Sequence, residues 1–139
     1  MPKKLIIFTD GGARNNPGPA GIGAVLMGED RCVAAQISEY IGETTNNQAE
    51  YRAVLAALEK AEELGAEELE FFLDSELVVK QLNREYRVKD ANLAPLFIRI
   101  YNQTLNFKKV TFTHVPREMN KEADRLVNLA IDRGTGIKK

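Results

Sequence analysis

The sequence contains a single cysteine, a single histidine and no tryptophan, and it has no long apolar run. With Cys32 alone an internal disulfide is impossible, which fits a reducing compartment. No stretch approaches the roughly 18 apolar residues of a membrane-spanning helix. The apolar run Leu5–Phe8 is ended by Asp10, too early for a secretory signal. We therefore expect a cytoplasmic protein with no membrane partner.

The charge balance does not by itself indicate a nucleic-acid partner. The formal net charge is −1 and the isoelectric point is near 5.9, whereas a surface that neutralises phosphates is normally basic. A few lysine and arginine residues can still line one groove. Cys32 lies beside Val33, Ala34 and Ala35, so we interpret it as a small core residue rather than a nucleophile.

A length of 139 residues and a hydrophobic fraction of 44% are typical of one compact domain. We predict a single domain over residues 1–139, with a tail over about 134–139. Three strands come first, with a loop over Gly11–Gly21 and a hairpin turn over Gly28–Asp30. The predicted elements are strands Leu5–Phe8, Ile22–Met27 and Cys32–Tyr40, helix Asn47–Leu64, strand Leu69–Leu73, helices Glu76–Asn83 and Leu93–Leu105, strand Val110–Val115 and helix Asn120–Arg133. The crossing helices favour parallel pairing of the later strands.

Two acids directly follow predicted buried strands. Asp10 comes after Leu5–Thr9 and Asp74 after Leu69–Leu73, and α/β sheets bind ligands beyond the carboxyl ends of their strands. Taken singly, each acid could instead have a purely structural role. Asp74 can cap the helix that follows it, and Asp10 can brace a glycine turn.

Two further acids lie on helix faces that should be apolar. Glu50 is on the stripe of the first long helix that faces the sheet, where a carboxylate should be desolvated. Asp124 repeats this pattern in the last helix, aligned with Val127 and Ile131. The alternative is that each acid only interacts favourably with the dipole at its helix N-terminus.

Four converging carboxylates would repel one another unless cations held them together. Oxygen ligands select hard ions such as Mg²⁺ or Mn²⁺. Two such ions roughly 3.5–4 Å apart are the usual apparatus for in-line attack of water on a phosphodiester. The acids therefore predict metal-assisted phosphoryl hydrolysis.

An ordered set of short motifs accompanies these acids through most of the chain. The set comprises Thr9-Asp10-Gly11-Gly12, Asn16-Pro17-Gly18-Pro19-Ala20-Gly21, Thr45-Asn46-Asn47-Gln48-Ala49-Glu50, Asp74-Ser75, His114, Asn120 and Asp124. It resembles the type 1 ribonuclease H family. The resemblance implies an α/β ribonuclease H-like fold, with a five-stranded mixed sheet of order 3-2-1-4-5 flanked by helices. It also implies an endonuclease that hydrolyses the RNA strand of RNA–DNA hybrids with two metal ions, leaving 5′-phosphate and 3′-hydroxyl ends.

The resemblance further implies two Mg²⁺ ions, which Mn²⁺ can replace, held by Asp10, Glu50, Asp74 and Asp124. His114 resembles the loop histidine of the family, which shuttles protons or helps product to leave; a buried strand histidine is the alternative. The residues implied or placed to bind the hybrid are Gly11, Arg14, Asn15, Asn16, Asn46, Asn47, Gln48, Ser75, Lys89 and Asn120. For Asn46 and Asn47 the alternative is helix capping, and for Arg14, Asn15, Asn16 and Lys89 it is ordinary loop polarity.

One segment departs from the family pattern. Many members carry a basic protrusion with tryptophan, whereas Asn83–Asn92 is short and contributes only Arg84, Arg87 and Lys89 as basic residues. This short form argues against tight or processive binding. We expect a monomer with no obligate protein partner.

Three other functions compete with the nuclease. An inactive module of the same fold should have lost an acid, and an integrase-like or Holliday-junction nuclease should lack the Asn-Asn-Gln-Ala-Glu helix start. A receiver-like phosphoacceptor should alternate strands and helices regularly, which the three opening strands oppose.

Overall fold

The computed structural model describes residues 3–136 of the chain. Each predicted strand and helix is present, with shifted ends. In chain order the elements are β1 (Lys4–Ala13), β2 (Gly18–Met27), β3 (Val33–Thr44), α1 (Asn46–Glu63), β4 (Glu68–Leu73), α2 (Glu76–Leu82), α3 (Ala94–Thr104), β5 (Lys109–His114), a 3-10 turn (Arg117–Met119) and α4 (Lys121–Thr135). Within the described range, no helix is long and apolar enough to cross a membrane.

The five strands form one mixed sheet in the order β3-β2-β1-β4-β5, as the family resemblance implies. Strands β1, β2 and β3 pair antiparallel because short connections join them. Strands β4 and β5 are parallel to β1 and to each other, since helices cross between them. The carboxyl ends of β1, β4 and β5 therefore meet at one edge of the sheet.

Helices α1 and α4 cover opposite faces of the sheet. A methyl group added at Gly11 would collide with the backbone of Ala49 in α1, whereas one added at Gly23, which pairs with Asp10, would collide with the backbone of Ala123 in α4. Successive strand residues point to opposite faces, so these contacts place one helix on each side. The main core lies on the α1 side, where β1, β4 and α1 contribute side chains that are almost fully buried, such as Leu5, Ile7, Val54, Leu58 and Phe71.

The predicted loop over Gly11–Gly21 is wrong. Strand β1 continues through Ala13 and β2 begins at Gly18, so only Arg14–Pro17 connects them. The glycines of this stretch lie largely within strands and allow helices to approach closely. At Gly21, for example, a side chain would collide with the backbone of α4 at Val127. The prediction is wrong because a glycine-rich composition is typical of turns, whereas glycine also occurs where two backbones pack closely.

Two smaller predictions are also wrong. Cys32 is exposed near the end of the β2–β3 hairpin rather than in the core, because the edge strand β3 leaves its first residues uncovered. The predicted tail begins too early, since α4 includes Gly134 and ends at Thr135, followed by Gly136 in a left-handed conformation. Residues 137–139 of the tail lie outside the described range.

Candidate active site

The carboxyl ends of β1 and β4 position Asp10 and Asp74. The parallel pairing of these two strands ends at Phe8 and Phe72, and each acid lies two residues beyond the end of that pairing, while Asp10 still pairs with Gly23 of β2. The two acids therefore lie side by side where β1 and β4 separate, Asp10 buried at 8% exposure and Asp74 half-buried. The capping alternative for Asp74 is wrong, because Ser75 is the N-cap of α2 and its Oγ accepts from the Val78 amide at 3.3 Å.

The first turn of α1 brings Glu50 against β1. The helix begins after Thr45, whose hydroxyl accepts a hydrogen bond from the Gln48 amide at 3.2 Å. Gly11 lies directly beneath this turn, and any larger residue there would collide with the backbone at Ala49. Glu50 is consequently buried, with 7% of its surface exposed. The predicted sheet-facing position of this acid is confirmed.

Asp10, Glu50 and Asp74 form a compact group. One carboxylate oxygen from each lies within 4.8 Å of the other two. The group forms the floor of an open cleft of about 450 Å³. The cleft is lined by Asp10, Gly11, Gly12, Ala13, Arg14, Asn46, Asn47, Glu50, Asp74, Ser75, Arg117, Asp124, Val127, Asn128 and Ile131.

Asp124 lies on the opposite wall of this cleft and outside the compact group. Val127 and Ile131 are buried as predicted, whereas Asp124 is exposed, so its predicted burial is wrong. It lies in the first turn of α4 and lines the same cleft as Asp10. After burial and the charge of Asp74, the charge of Asp124 also raises the pKa of Asp10.

Crowding of carboxyls in a poorly solvated cleft alters their ionisation. Burial raises the pKa of Asp10 to about 8, assisted by the charges of Asp74 and Asp124 and opposed by the Gly11 amide. That amide donates to Asp10 Oδ1 at 3.0 Å. Burial also raises the pKa of Glu50 well above its usual value, with further contributions from Asp10 and Asp74. Ionising these groups together requires a compensating positive charge.

The donor set fits a divalent metal ion. Glu50 Oε1 is buried and has no hydrogen-bond partner among residues 3–136, although a buried carboxylate oxygen normally has one. The group offers only carboxylate oxygens, which suit a hard cation rather than zinc. A cation held here would satisfy the orphaned oxygen and offset the mutual repulsion of the acids. The cluster is therefore suited to divalent metal binding.

Asn46 and Asn16 connect the loop between β1 and β2 to the start of α1. The Ala13 amide donates to Asn46 Oδ1 at 2.7 Å, and the Asn46 amide donates to Asn16 Oδ1 at 2.9 Å. The capping alternative for Asn46 is wrong, since Thr45 is the cap. Asn15 is exposed in the same loop, and Asn47 lines the cleft.

Other residues predicted to bind substrate lie in different surroundings. Asn120 is only 1% exposed, so it is not a surface contact for substrate. Its Nδ2 donates to the Thr9 carbonyl at 2.9 Å and lies 3.4 Å from Asp74 Oδ2, which identifies it as a support for Asp74. Gln48 is half-buried in the first turn of α1. Lys89 is exposed between α2 and α3 and does not line the cleft.

His114 is the last residue of β5, where it pairs with Leu73 next to Asp74. It is exposed, so the alternative of a buried strand histidine is wrong. Its side chain does not line the cleft. The structure therefore brings His114 close to the acids along the sheet but leaves it outside the compact group.

Two polar or charged cleft residues were not predicted from the sequence. Arg117, in the 3-10 turn after β5, lowers the pKa of Glu50 through its charge. Asn128, one helical turn after Asp124, lines the same wall. The spacing of Asn128 from Asp124 could have indicated a common helix face, whereas nothing in the local pattern marks Arg117.

Comparisons with known proteins agree with this arrangement. The reverse transcriptase-like family matches residues 8–130. A bifunctional protein of Mycobacterium tuberculosis is 43% identical over 130 residues, which are 93% of this chain and 36% of that protein. The chain thus spans about a third of the length of that relative. Ribonuclease H of Chlorobium phaeobacteroides is 31% identical, with 94% of this chain and 97% of that protein covered.

A solved structure has the same fold throughout the aligned region. It is LC11-RNase H1, isolated from compost by a metagenomic approach, in complex with an RNA/DNA hybrid. The identity is 46%, the TM-score is 0.90, and the alignment covers 94% of this chain and 99% of that one. Together with the sheet order and the clustered carboxylates, these similarities show that the chain belongs to the ribonuclease H family.

Proposed function

We propose that this protein is an endoribonuclease that hydrolyses the RNA strand of RNA–DNA hybrids, leaving 5′-phosphate and 3′-hydroxyl ends. The observation that carries the proposal is the group of oxygens from Asp10, Glu50 and Asp74 within 4.8 Å of one another. Membership of the ribonuclease H family and the similarity to an enzyme bound to an RNA/DNA hybrid support this substrate.

The cofactor of the proposal is a pair of Mg²⁺ ions, which Mn²⁺ can replace. Its ligands would be Asp10, Glu50, Asp74 and Asp124. When bound, the ions activate a water molecule and stabilise charge on the phosphate during in-line attack. Asp10 lies in the compact group with Asp74 and lines the same cleft as Asp124, so it would hold metal together with both acids.

The surrounding residues have supporting roles in this proposal. Asn120 holds Asp74 through the contact at 3.4 Å, and Gly11 allows Glu50 to approach β1. His114, exposed beside the end of β4, would shuttle protons or help product to leave. Arg117 adds a positive charge near Glu50 and offsets part of the repulsion among the acids.

Recognition of RNA requires a group that distinguishes ribose from deoxyribose, and the 2′-hydroxyl is the available feature. We assign this contact to Glu50, whose helix turn also presents polar side chains to the cleft. The proposed hybrid contacts near it are Gly11, Asn15, Asn16, Asn46, Asn47, Gln48 and Ser75. Lys89 is exposed and does not line the cleft, so it would contact a phosphate outside the cleft.

The test is cleavage of a labelled RNA–DNA hybrid in Mg²⁺, beside single-stranded RNA, duplex RNA and duplex DNA of the same sequence. We expect cleavage of the RNA strand of the hybrid only in the presence of metal, with 5′-phosphate ends on the products. Cleavage that persists in EDTA, or a hybrid left intact in Mg²⁺ and Mn²⁺, would overturn the proposal.

We further propose that the protein is a monomer and that it is located in the cytoplasm. The single cysteine favours this location.

A further inference from the structure

A row of polar side chains lies along one wall of the cleft and ends at Asp124. Arg14 lies in the connection between β1 and β2, while Asn128 and Asp132 follow Asp124 at intervals of four residues along α4. Residues four apart lie on the same face of a helix. Asp124, Asn128 and Asp132 therefore form a row, and Arg14 lies against the later part of it.

Contacts within the protein hold the Arg14 guanidinium. Its Nη1 lies 2.7 Å from Asp132 Oδ1, a buried oxygen whose interaction with Arg14 is ionic rather than a well-aligned hydrogen bond. Its Nη2 donates to Asn128 Oδ1 at 3.3 Å and to the Asn128 carbonyl at 3.4 Å. The side chains of Arg14 and Asp132 are 31% and 19% exposed, so water screens this pair only in part. Contacts within the protein therefore fix the position of the Arg14 side chain.

The other end of the Asn128 amide faces Asp124. Its Nδ2 donates to the Asp124 carbonyl at 3.1 Å and lies 3.5 Å from Asp124 Oδ2. A guanidinium only donates hydrogen bonds, and an ionised carboxylate only accepts them. The amide satisfies both neighbours in one orientation, with its oxygen toward Arg14 and its nitrogen toward Asp124. Arg14 thereby sets the direction of the Asn128 N–H groups.

Asp124 is the acid that most needs such a restraint. Asp10 and Glu50 are buried, and Asn120 holds Asp74, whereas Asp124 is exposed on the opposite wall. We propose that Asn128 is a positioning residue, oriented by Arg14 and Asp132, that directs the Asp124 carboxylate toward the metal ions. This inference rests on the proposed function. Partners of this kind, which orient a ligand without touching the metal, typically change metal affinity by 10- to 100-fold.

The experiment compares metal binding by the wild-type chain and by Asn128→Ala, with Mn²⁺ titrated calorimetrically in the absence of nucleic acid. We expect the dissociation constant to rise by about 10-fold. Arg14→Gln should also raise the dissociation constant, but by a smaller factor, because Asn128 remains and loses only its orientation. Arg125→Ala is the matched control, since Arg125 is exposed on the same helix and pairs with Glu122; it should leave metal affinity unchanged.

Hybrid cleavage supplies a second readout. Asn128→Ala should need about 10-fold more Mg²⁺ for half-maximal kcat, whereas KM for the hybrid at saturating Mg²⁺ should equal that of the wild type. An unchanged metal dissociation constant would overturn the inference. So would a higher KM at unchanged metal affinity, because Asn128 would then contact the substrate. Should Asn128→Ala fail to fold, Arg14→Gln leaves the sequence of α4 unchanged and decides by the same comparison of metal affinity.

The outcomes also separate this inference from the proposed function. A wild-type protein that binds Mn²⁺ more tightly than Asn128→Ala, yet leaves the hybrid intact, would contradict only the proposed substrate. A wild-type protein that cleaves the hybrid, with Asn128→Ala equal to it in metal affinity, would contradict only the positioning role. Absence of Mn²⁺ binding by the wild type would contradict both.

Discussion

Replacing Asp10 with asparagine should stabilise the metal-free protein while abolishing its activity. The change keeps the shape of the side chain, and the asparagine oxygen can still accept the Gly11 amide that Asp10 Oδ1 accepts at 3.0 Å. What disappears is an ionisable group whose pKa is raised to about 8 by burial and by neighbouring acids. Asparagine neither ionises nor has to take up a proton on folding.

The magnitude follows from proton linkage. An acid whose pKa is raised in the folded state contributes stability below its unfolded pKa of 3.8, and this stability is lost as the pH rises toward about 8. Each pKa unit corresponds to about 1.4 kcal/mol, so the uptake of a proton by Asp10 on folding at about pH 7 costs at most roughly 4 kcal/mol. For a chain of this length, 1 kcal/mol shifts Tm by about 3 °C. The substitution should therefore raise Tm in EDTA by several degrees at about pH 7 and hardly at all near pH 4.

The assay is thermal unfolding of both proteins in EDTA across this pH range, repeated in saturating Mg²⁺. Metal should narrow or reverse the difference in Tm between the variant and the wild type, because it binds the folded wild type more tightly than the variant. Cleavage of the hybrid by Asp10→Asn should fall below detection. A variant that is less stable than the wild type at about pH 7 in EDTA would refute the electrostatic reasoning, and retained full activity would refute the catalytic assignment.

Three further predictions test other parts of the site. Lys89→Glu should raise KM for the hybrid and flatten its salt dependence with little effect on kcat; an unchanged salt slope would make Lys89 only a solvated charge. Gly11→Ala should lower Tm and reduce kcat at least 10-fold, since the added methyl displaces Ala49 and with it Glu50; Gly136→Ala, at a site open to solvent, is the control for activity. In a hybrid with one 2′-deoxynucleotide, cleavage should fall sharply only at or beside the scissile phosphate while binding persists, and uniform cleavage would mean that no 2′-hydroxyl is recognised there.

Several features of the site can be predicted from local sequence because they depend on short-range patterns. Burial on both sides of a strand leaves a continuous apolar run, so the acids that end Leu5–Thr9 and Leu69–Leu73 are conspicuous. Helical periodicity likewise identifies Glu50 as a carboxylate on a face that should be apolar. The sheet order came from the motifs of a known family, since periodicity alone does not determine which strands are neighbours.

Other features depend on how distant segments pack. The glycines from Gly11 to Gly21 indicate a loop by composition, and only the close approach of α1 and α4 explains why most of them lie in strands. The exposure of Cys32 depends on which part of the edge strand β3 is left uncovered, a property of the whole sheet.

The sequence by itself determined the kinds of element and the acids that interrupt their apolar patterns, because both follow from the periodicity of the local chain. Only the tertiary structure decided how each acid is held. It buries Asn120 behind Asp74, 46 positions earlier in the chain, and sets Arg14 against Asp132, more than 100 positions later. Charge, burial and hydrogen-bond direction are properties of a neighbourhood, and that neighbourhood exists only once the chain has folded.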